Sequence, residues 1–287
     1  MKKILYLLPV FFFLLAGVVM AADPQGVTDQ RQAFITGSII VKGEGAAPTG
    51  KGMSAAQKRI MALRAAKVVA LRELAEIVEG VAISGDTLVI NAAVESDAIK
   101  ASVQGLVKGA QIVKEAYDPM SEMGVVYLSI PMTGPNGLLA TLLPQVLPTV
   151  PLSPFPPYQP PVAAPEAPVA PPVVKNYDGL IIDVRAQAFK PALINRVVTK
   201  NGEIIYDPTK VAQNILVERG AAEYTNDVGK AKALLSERGS SNPVIIKGEG
   251  LVKATDVEIG PDDASSVFSS NQTNNYLEGA KVVFVLK

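Results

Sequence analysis

The stretch with the most chemical promise is Gly45-Ala-Ala-Pro-Thr-Gly50-Lys51-Gly52, which has the spacing G-x-x-x-x-G-K between a strand-like and a helix-like segment. In a phosphate loop, backbone N–H groups and the lysine would hold phosphate oxygens. Ser or Thr should follow the lysine to bind Mg²⁺, but Gly52 stands there, and Pro48 removes one N–H. The nearest apolar run ending in an acid, Leu180–Asp183, lies in a different part of the chain. A flexible strand–helix connector is the better reading of these residues. Asp178, Asp183, Asp262 and Asp263 could serve as acid groups or calcium ligands. Their spacing matches neither an EF-hand nor a Gly-Asp repeat, so they read as solvated acids at strand ends and helix starts. Tyr206, Tyr224 and Tyr276 read as packing residues. Lys67, on the edge of an apolar helical stripe, reads as a stem that keeps its charge at the rim. The alternative for Lys67 is an ion pair inside an interface.

The chain contains no His and no Cys. That excludes disulfides, thiol nucleophiles, Ser-His-Asp triads, ordinary zinc sites and Cys- or His-ligated haem and iron–sulfur centres. Acid–base work would fall to Asp, Glu, Lys or Tyr. No catalytic, cofactor-binding or metal-ligating set emerges, and the expectation is that the protein is not an enzyme. Lys+Arg and Asp+Glu balance at 27 each. Without Lys2 and Lys3 the count becomes 25 basic to 27 acidic, which offers no basic excess for nucleic acid.

Elements that could position such residues are clear in several places. Met53–Gly80 runs without Gly or Pro up to Glu79 and reads as a long amphipathic helix, capped by Ser54 and closed by Gly80. At 100° per residue, Ala56, Ile60, Leu63, Ala70, Leu74 and Ile77 share one side, with Leu71 and Val78 at its edge. Lys58, Glu73 and Glu76 fall opposite. Such a helix needs a sheet to cover. Strands are expected at Phe34–Lys42, Val81–Ile83, Thr87–Ile90, Gln111–Tyr117 and Val125–Met132, and short helices at Ser96–Gln104 and Gly137–Leu143.

Met1–Ala21 reads as a signal peptide, with Lys2 and Lys3 before the apolar core Ile4–Val19 and a small-x-small site at Val19-Met20-Ala21. Cleavage between Ala21 and Ala22 is expected; an uncleaved anchor is the alternative. No other stretch is long and apolar enough to span a bilayer. Residues 22–143 form a first α+β domain, a long helix on a mostly antiparallel sheet. Residues 144–175 form a linker, with twelve prolines in Pro144–Pro172. Such a segment favours polyproline II, would not pack a core, and would reach about 90 Å at ~3.1 Å per residue. It reads as a spacer, with a docking site for a proline-recognising partner as the alternative.

Residues 176–287 form a second α+β domain. Strands are expected at Gly179–Arg185, around the Asn201-Gly202 turn, at Val244–Ile259 and at Lys281–Leu286. Helices are expected at Pro208–Arg219, at Asp227–Arg238 under an Asn226 cap, and from Pro261. Ile39–Gly45 and Val244–Gly250 share five of seven residues, which fits chance similarity of strand-plus-turn composition better than domain duplication.

Arg64–Thr87 and Val103–Val113 resemble the domain shared by small bacterial envelope lipoproteins, a family that includes the flagellar basal-disc lipoprotein P. The N-terminal domain of flagellar assembly protein T is similar. The shared pattern appears here as an Ala-rich helix (Arg64–Ala75), a Gly80–Gly85 turn, the Gly105–Ala110 segment and a strand at Val125–Pro131. This resemblance implies a periplasmic or outer-membrane-associated assembly protein, with relatives that form rings or discs around envelope machines. The lipobox Cys of the lipoproteins is absent. The expected function is therefore structural and exported: a homo-oligomer, or a subunit with protein partners in the envelope or flagellum. It would dock through sheet edges and the long helix, with no cofactor, nucleic acid or membrane span after signal cleavage. A monomeric periplasmic binding module for a cell-wall or surface ligand is the alternative.

Overall fold

Gly43, Gly45 and Gly124 determine how the first layer is built. The computed structural model describes residues 29–49, 52–147, 156–160 and 176–287, and strand β1 (Ser38–Ala46) crosses beneath helix α2 (Ala55–Glu79). A Cβ on Gly43 would lie 2.1 Å from the Ala66 carbonyl oxygen, and one on Gly45 would lie 2.3 Å from the Ala66 nitrogen. From strand β5 (Met123–Pro131), Gly124 would place one 2.7 Å from the Ala62 carbonyl carbon. The helix therefore rests with its backbone almost on the sheet, and only alanine fits at the contact. Ala62, Ala66 and Ala70 are wholly buried, followed by Leu74, Ile77 and Val78. This corrects the expected stripe: Ala56 and Ile60 are exposed, and Ile60 lies on the face turned away from the sheet. Ser54 does cap the helix, in a reciprocal box with Gln57.

The first sheet is antiparallel, in the order β1-β5-β4, with β4 at Gln111–Asp118. A short helix precedes it. Phe34–Thr36 is not strand but the end of α1 (Gln30–Thr36), because Asp29 accepts a hydrogen bond from the Arg31 N–H and Gly37 closes the helix at φ +73°. After α2 come the hairpin β2 (Ala82–Ser84) and β3 (Thr87–Leu88), turning at Gly85. Val89 and Ile90 are helical rather than extended; they begin α3 (Val89–Glu95). Ser96 caps α4 (Asp97–Lys108), and α5 (Leu138–Val146) carries Pro144 inside its last turn.

The second half holds two sheets. β6 (Leu180–Asp183), β9 (Glu223–Thr225), β10 (Val244–Lys247) and β13 (Val282–Val285) form an all-parallel sheet in the order β10-β6-β13-β9. Parallel strands need cover on both faces, and all four residues of β13 are buried. On one face, α7 (Val228–Glu237) sets Ala231 and Leu235 against Ile181, Val283 and Val285. Its cap is Asp227, not Asn226, because the Lys230 N–H donates to the Asp227 carboxylate at 2.8 Å. The other sheet has the order β11-β12-β7-β8, from β7 (Val197–Thr199), β8 (Ile204–Tyr206), β11 (Gly250–Lys253) and β12 (Asp256–Ile259). Gly202 takes φ +78° between β7 and β8, as the Asn-Gly turn predicts. The region expected as one helix at Pro208–Arg219 splits into a 3₁₀ turn and α6 (Gln213–Arg219), and α8 runs from Pro261 to Asn274. The similar heptapeptides are unlike in place: β1 is an antiparallel edge, β10 a parallel one.

The chain is α+β throughout, and one hydrophobic cluster runs through both halves. Backbone bonds join them: Leu193 N–H to Ala82 O at 2.9 Å, Ile194 N–H to Ile83 O at 2.9 Å and Gly134 N–H to Val217 O at 2.7 Å. The expected linker is also partly structured. Its first residues finish α5. Pro156–Tyr158 pairs with Ile204 along the edge of β8, through Ile204 N–H to Pro156 O and Tyr158 N–H to Ile204 O. Tyr158 is buried, edge-on to Phe268, with its hydroxyl 2.8 Å from Ser265 Oγ. An aromatic side chain gives this proline segment something to bury. The signal segment with Ala21 and Ala22 lies outside the described residues, as do Gly50 and Lys51. No described helix is long and apolar enough to cross a membrane.

Candidate functional site

The residues singled out for chemistry do not converge. Gly45 lies under Ala66, so its backbone is committed to packing and does not line an open phosphate cradle. Asp183 is paired with Arg185, Oδ2 to Nη2 at 2.6 Å, while Asp262 and Asp263 occupy the first turn of α8. No group of three or more acids with metal-holding geometry occurs among the described residues. Tyr206, Tyr224 and Tyr276 are buried with their hydroxyls engaged: Tyr206 donates to the Ala221 carbonyl, Tyr224 to Asn195 Oδ1 at 2.5 Å, and Tyr276 lies 2.9 Å from Ser270 Oγ. Burial pushes all three phenols up, Tyr276 to about 12. Lys67 is exposed.

Asp178 is a structural acid. Burial opposes its charge. Against this, Ser240 Oγ, the Ser241 and Asn242 N–H groups and Ser241 Oγ donate at 2.7 to 2.9 Å and hold its carboxyl down to about 2. Since the folded value lies below the ordinary 3.8, the stabilisation is complete above pH ~4 and is lost as pH falls toward 2. Asp178→Asn should cost on the order of 1–2 kcal/mol at pH 7, allowing for partial solvent exposure, and much less at pH 2. Urea unfolding at the two pH values measures this; an equal cost at both would show that the charge is irrelevant.

Three of the concave regions among the described residues bear on function. A cavity of about 230 Å³ lies where α1, α6, β9 and the Met132–Thr133 turn meet, walled by Phe34, Leu139, Leu193 and Tyr224. A neutral groove of about 440 Å³ lies between α4 and the end of β5, lined by Ser102, Gln111, Ser129, Asn136 and Thr141. A wider groove of about 610 Å³ follows the start of α2 beside Lys58, Arg59, Tyr117 and Glu122.

Two surfaces and one junction are more distinctive. Strand β4 is one of the two outer strands of its sheet, pairs with β5 among the described residues, and has no buried side chain; Ile112 and Val113 are 45% and 47% exposed. The outward face of α2 exposes Ile60, Met61, Val68 and Val69. The junction is polar and buried. Arg196 sits between the halves, its Nε 3.5 Å from Asp207 and its Nη1 donating to Ser84 Oγ at 3.2 Å, while its Nη2 is buried without a hydrogen bond. Asp256 accepts from the Arg196 N–H at 3.2 Å; burial raises its pKa against that contact. Thr255 Oγ1 receives the Gly85 N–H at 2.6 Å. Residue type alone gives no sign of this cluster, because Arg196 looks like any strand-end cation.

The second half is of a type found in bacteria: residues 179–287 are similar to the second domain of Treponema pallidum Tp0624. The match covers less than half of the chain, and the expected relationship of Arg64–Thr87 and Val103–Val113 to flagellar and envelope lipoproteins finds no support in it. No curated protein matches the chain.

Proposed function

We propose that this chain is a non-enzymatic structural or assembly protein of the bacterial envelope, exported to the periplasm or its outer-membrane side, that associates through the edge of its first sheet. The observation that carries this reading is strand β4. An eight-residue outer strand with exposed apolar side chains, paired on one side with β5, can add a further strand along its other side. Natural edges are usually shortened, charged or covered. Here Lys114 and Glu115 put charge in mid-strand and a register irregularity falls between Ile112 and Lys114, so Ile112 and Val113 form the apolar part of the edge. The resemblance of the Ala-rich helix to flagellar and envelope lipoproteins supports a ring or disc as the form of the assembly.

Light scattering behind size exclusion, with electron micrographs of the same peak, tests this on the chain from Ala22 to Lys287. A discrete large species is expected, reduced to monomer by Ile112→Lys with Val113→Lys. A monomer at every concentration would overturn self-assembly. The groove walled by Ser102, Gln111, Ser129, Asn136 and Thr141 favours a second reading, a monomeric binder of a neutral, hydroxyl-rich cell-wall ligand. Binding of cell-wall glycan fragments, abolished by filling the groove with Ser129→Phe, would support that reading.

A further inference from the structure

The outward face of α2 has a charge pattern that helix stability does not account for. From Gln57 to Arg72 the helix carries Lys58, Arg59, Arg64, Lys67 and Arg72 and no acid, and Arg64, Lys67 and Arg72 lie on the outward face, whereas Glu73, Glu76 and Glu79 crowd its last turns. This opposes the helix dipole, which favours acids at the start and bases at the end. Arg59, Arg64 and Lys67 have no acidic neighbour three or four residues away on the helix. Lys58 is tied to Glu122 at 2.5 Å. Ile60, Met61, Arg64, Lys67, Val68 and Arg72 share roughly one 140° arc. On that arc Ile60 is 51% and Val68 57% exposed. Met120, 95% exposed at the β4–β5 turn, is held at the same end of the helix by the Lys58–Glu122 pair.

We propose that this face docks on an anionic phospholipid surface, with α2 lying along the headgroups. The arginines and lysine meet lipid phosphates, and Ile60, Met61 and Val68 reach the acyl boundary. Charge complementarity and the intermixing of the two residue kinds favour lipid. Over about 20 Å of helix, at 1.5 Å per residue, basic and apolar side chains alternate on a convex surface. A headgroup layer accepts both in any lateral register, whereas a protein partner would need acids at matching spacing. The alanine stripe at Ala62, Ala66 and Ala70 fixes this face outward, because the opposite face cannot leave the sheet. The inference does not rest on self-association through β4.

Flotation of the chain from Ala22 with vesicles tests it. The chain is expected to float with phosphatidylglycerol–phosphatidylethanolamine vesicles and not with phosphatidylcholine, and to be released by high salt. Arg64→Gln with Lys67→Gln should weaken binding roughly 25-fold, taking about fivefold per charge near an anionic surface. Ile60→Ser with Val68→Ser should weaken it as well. These positions are exposed, and circular dichroism of each variant confirms the fold. No flotation with anionic vesicles would overturn the proposal. So would equal flotation with phosphatidylcholine, or charge variants that float like the parent, even if the face then bound an acidic protein. Light scattering of the same samples separates the two readings: a floating monomer sinks the assembly reading alone, and a large species that does not float sinks this one alone.

Discussion

Gly43→Ala should destabilise the protein by about 3 kcal/mol or more, and Gly43→Val should prevent folding. A single methyl carbon would sit 2.1 Å from the Ala66 carbonyl oxygen and 2.5 Å from the Ala70 nitrogen. Overpacking normally costs about 1–3 kcal/mol because side chains can shift. Here the obstacle is helix backbone, so relief requires lifting α2 off the sheet. Lifting it opens voids along Ala62, Ala66, Ala70 and Leu74 and loses dispersion contacts along two turns. Gly105→Ala is the control. It lies inside α4 with nothing within 4 Å of the added carbon, so it should be neutral or stabilise by up to about 1 kcal/mol. Urea unfolding of the three variants decides the matter. A loss below about 1 kcal/mol for Gly43→Ala would mean that helix and sheet are not in backbone contact.

The same contact explains which parts of the fold are legible in the sequence. The ends of α2 are local events: Ser54 with Gln57 at one end and Gly80 at the other can be read from a few adjacent residues. The buried face is not local. Periodicity places Ile60 in the stripe because it is large and apolar, but the nearness of Gly43 and Gly45 selects small residues, so Ala62 and Ala66 take the centre. Phe34–Thr36 has β-favouring residues, yet the Asp29 cap and Gly37 keep it helical and Phe34 packs edge-on against Tyr224 at 5.0 Å. The parallel order β10-β6-β13-β9 joins strands from Leu180 to Val285 and follows from non-local burial. Tyr206, Tyr224 and Tyr276 are legible as packing residues, and they are buried with their hydroxyls engaged. The exposed edge of β4 is visible only once β5 occupies its other side. Tyr158 shows how one aromatic overrides composition: prolines on both sides predict a free spacer, and its ring finds Phe268 instead.

Arg196→Met should cost about 3–5 kcal/mol at neutral pH, the range for removing one partner of a buried ion pair. Asp207 and Asp256 are 5% and 2% exposed, so the cation's loss leaves two carboxylates in a poor solvent for charge. The Arg196 N–H to Asp256 survives, but the guanidinium near Asp207 Oδ1 and the bond to Ser84 do not. The sign of the pH dependence follows. A carboxyl whose folded pKa is raised is destabilising once pH exceeds its unfolded value of 3.8, and burial already raises Asp256 with Arg196 present. Without the cation Asp256 moves further in that direction, because Arg196 was among the groups that opposed the rise, so the penalty should shrink as pH is lowered from 7 toward 4.5. Adding Asp256→Asn to Arg196→Met should recover part of the loss at pH 7 and little at pH 4.5. Because Arg196 bridges β7 to the Ser84 turn of the first half, the variant should also loosen the junction, which hydrogen exchange at Ile83–Gly85 and Ile194 would read. A penalty independent of pH, with unchanged exchange at those amides, would reduce Arg196 to a packing residue and leave the backbone bonds as the principal polar ties between the halves.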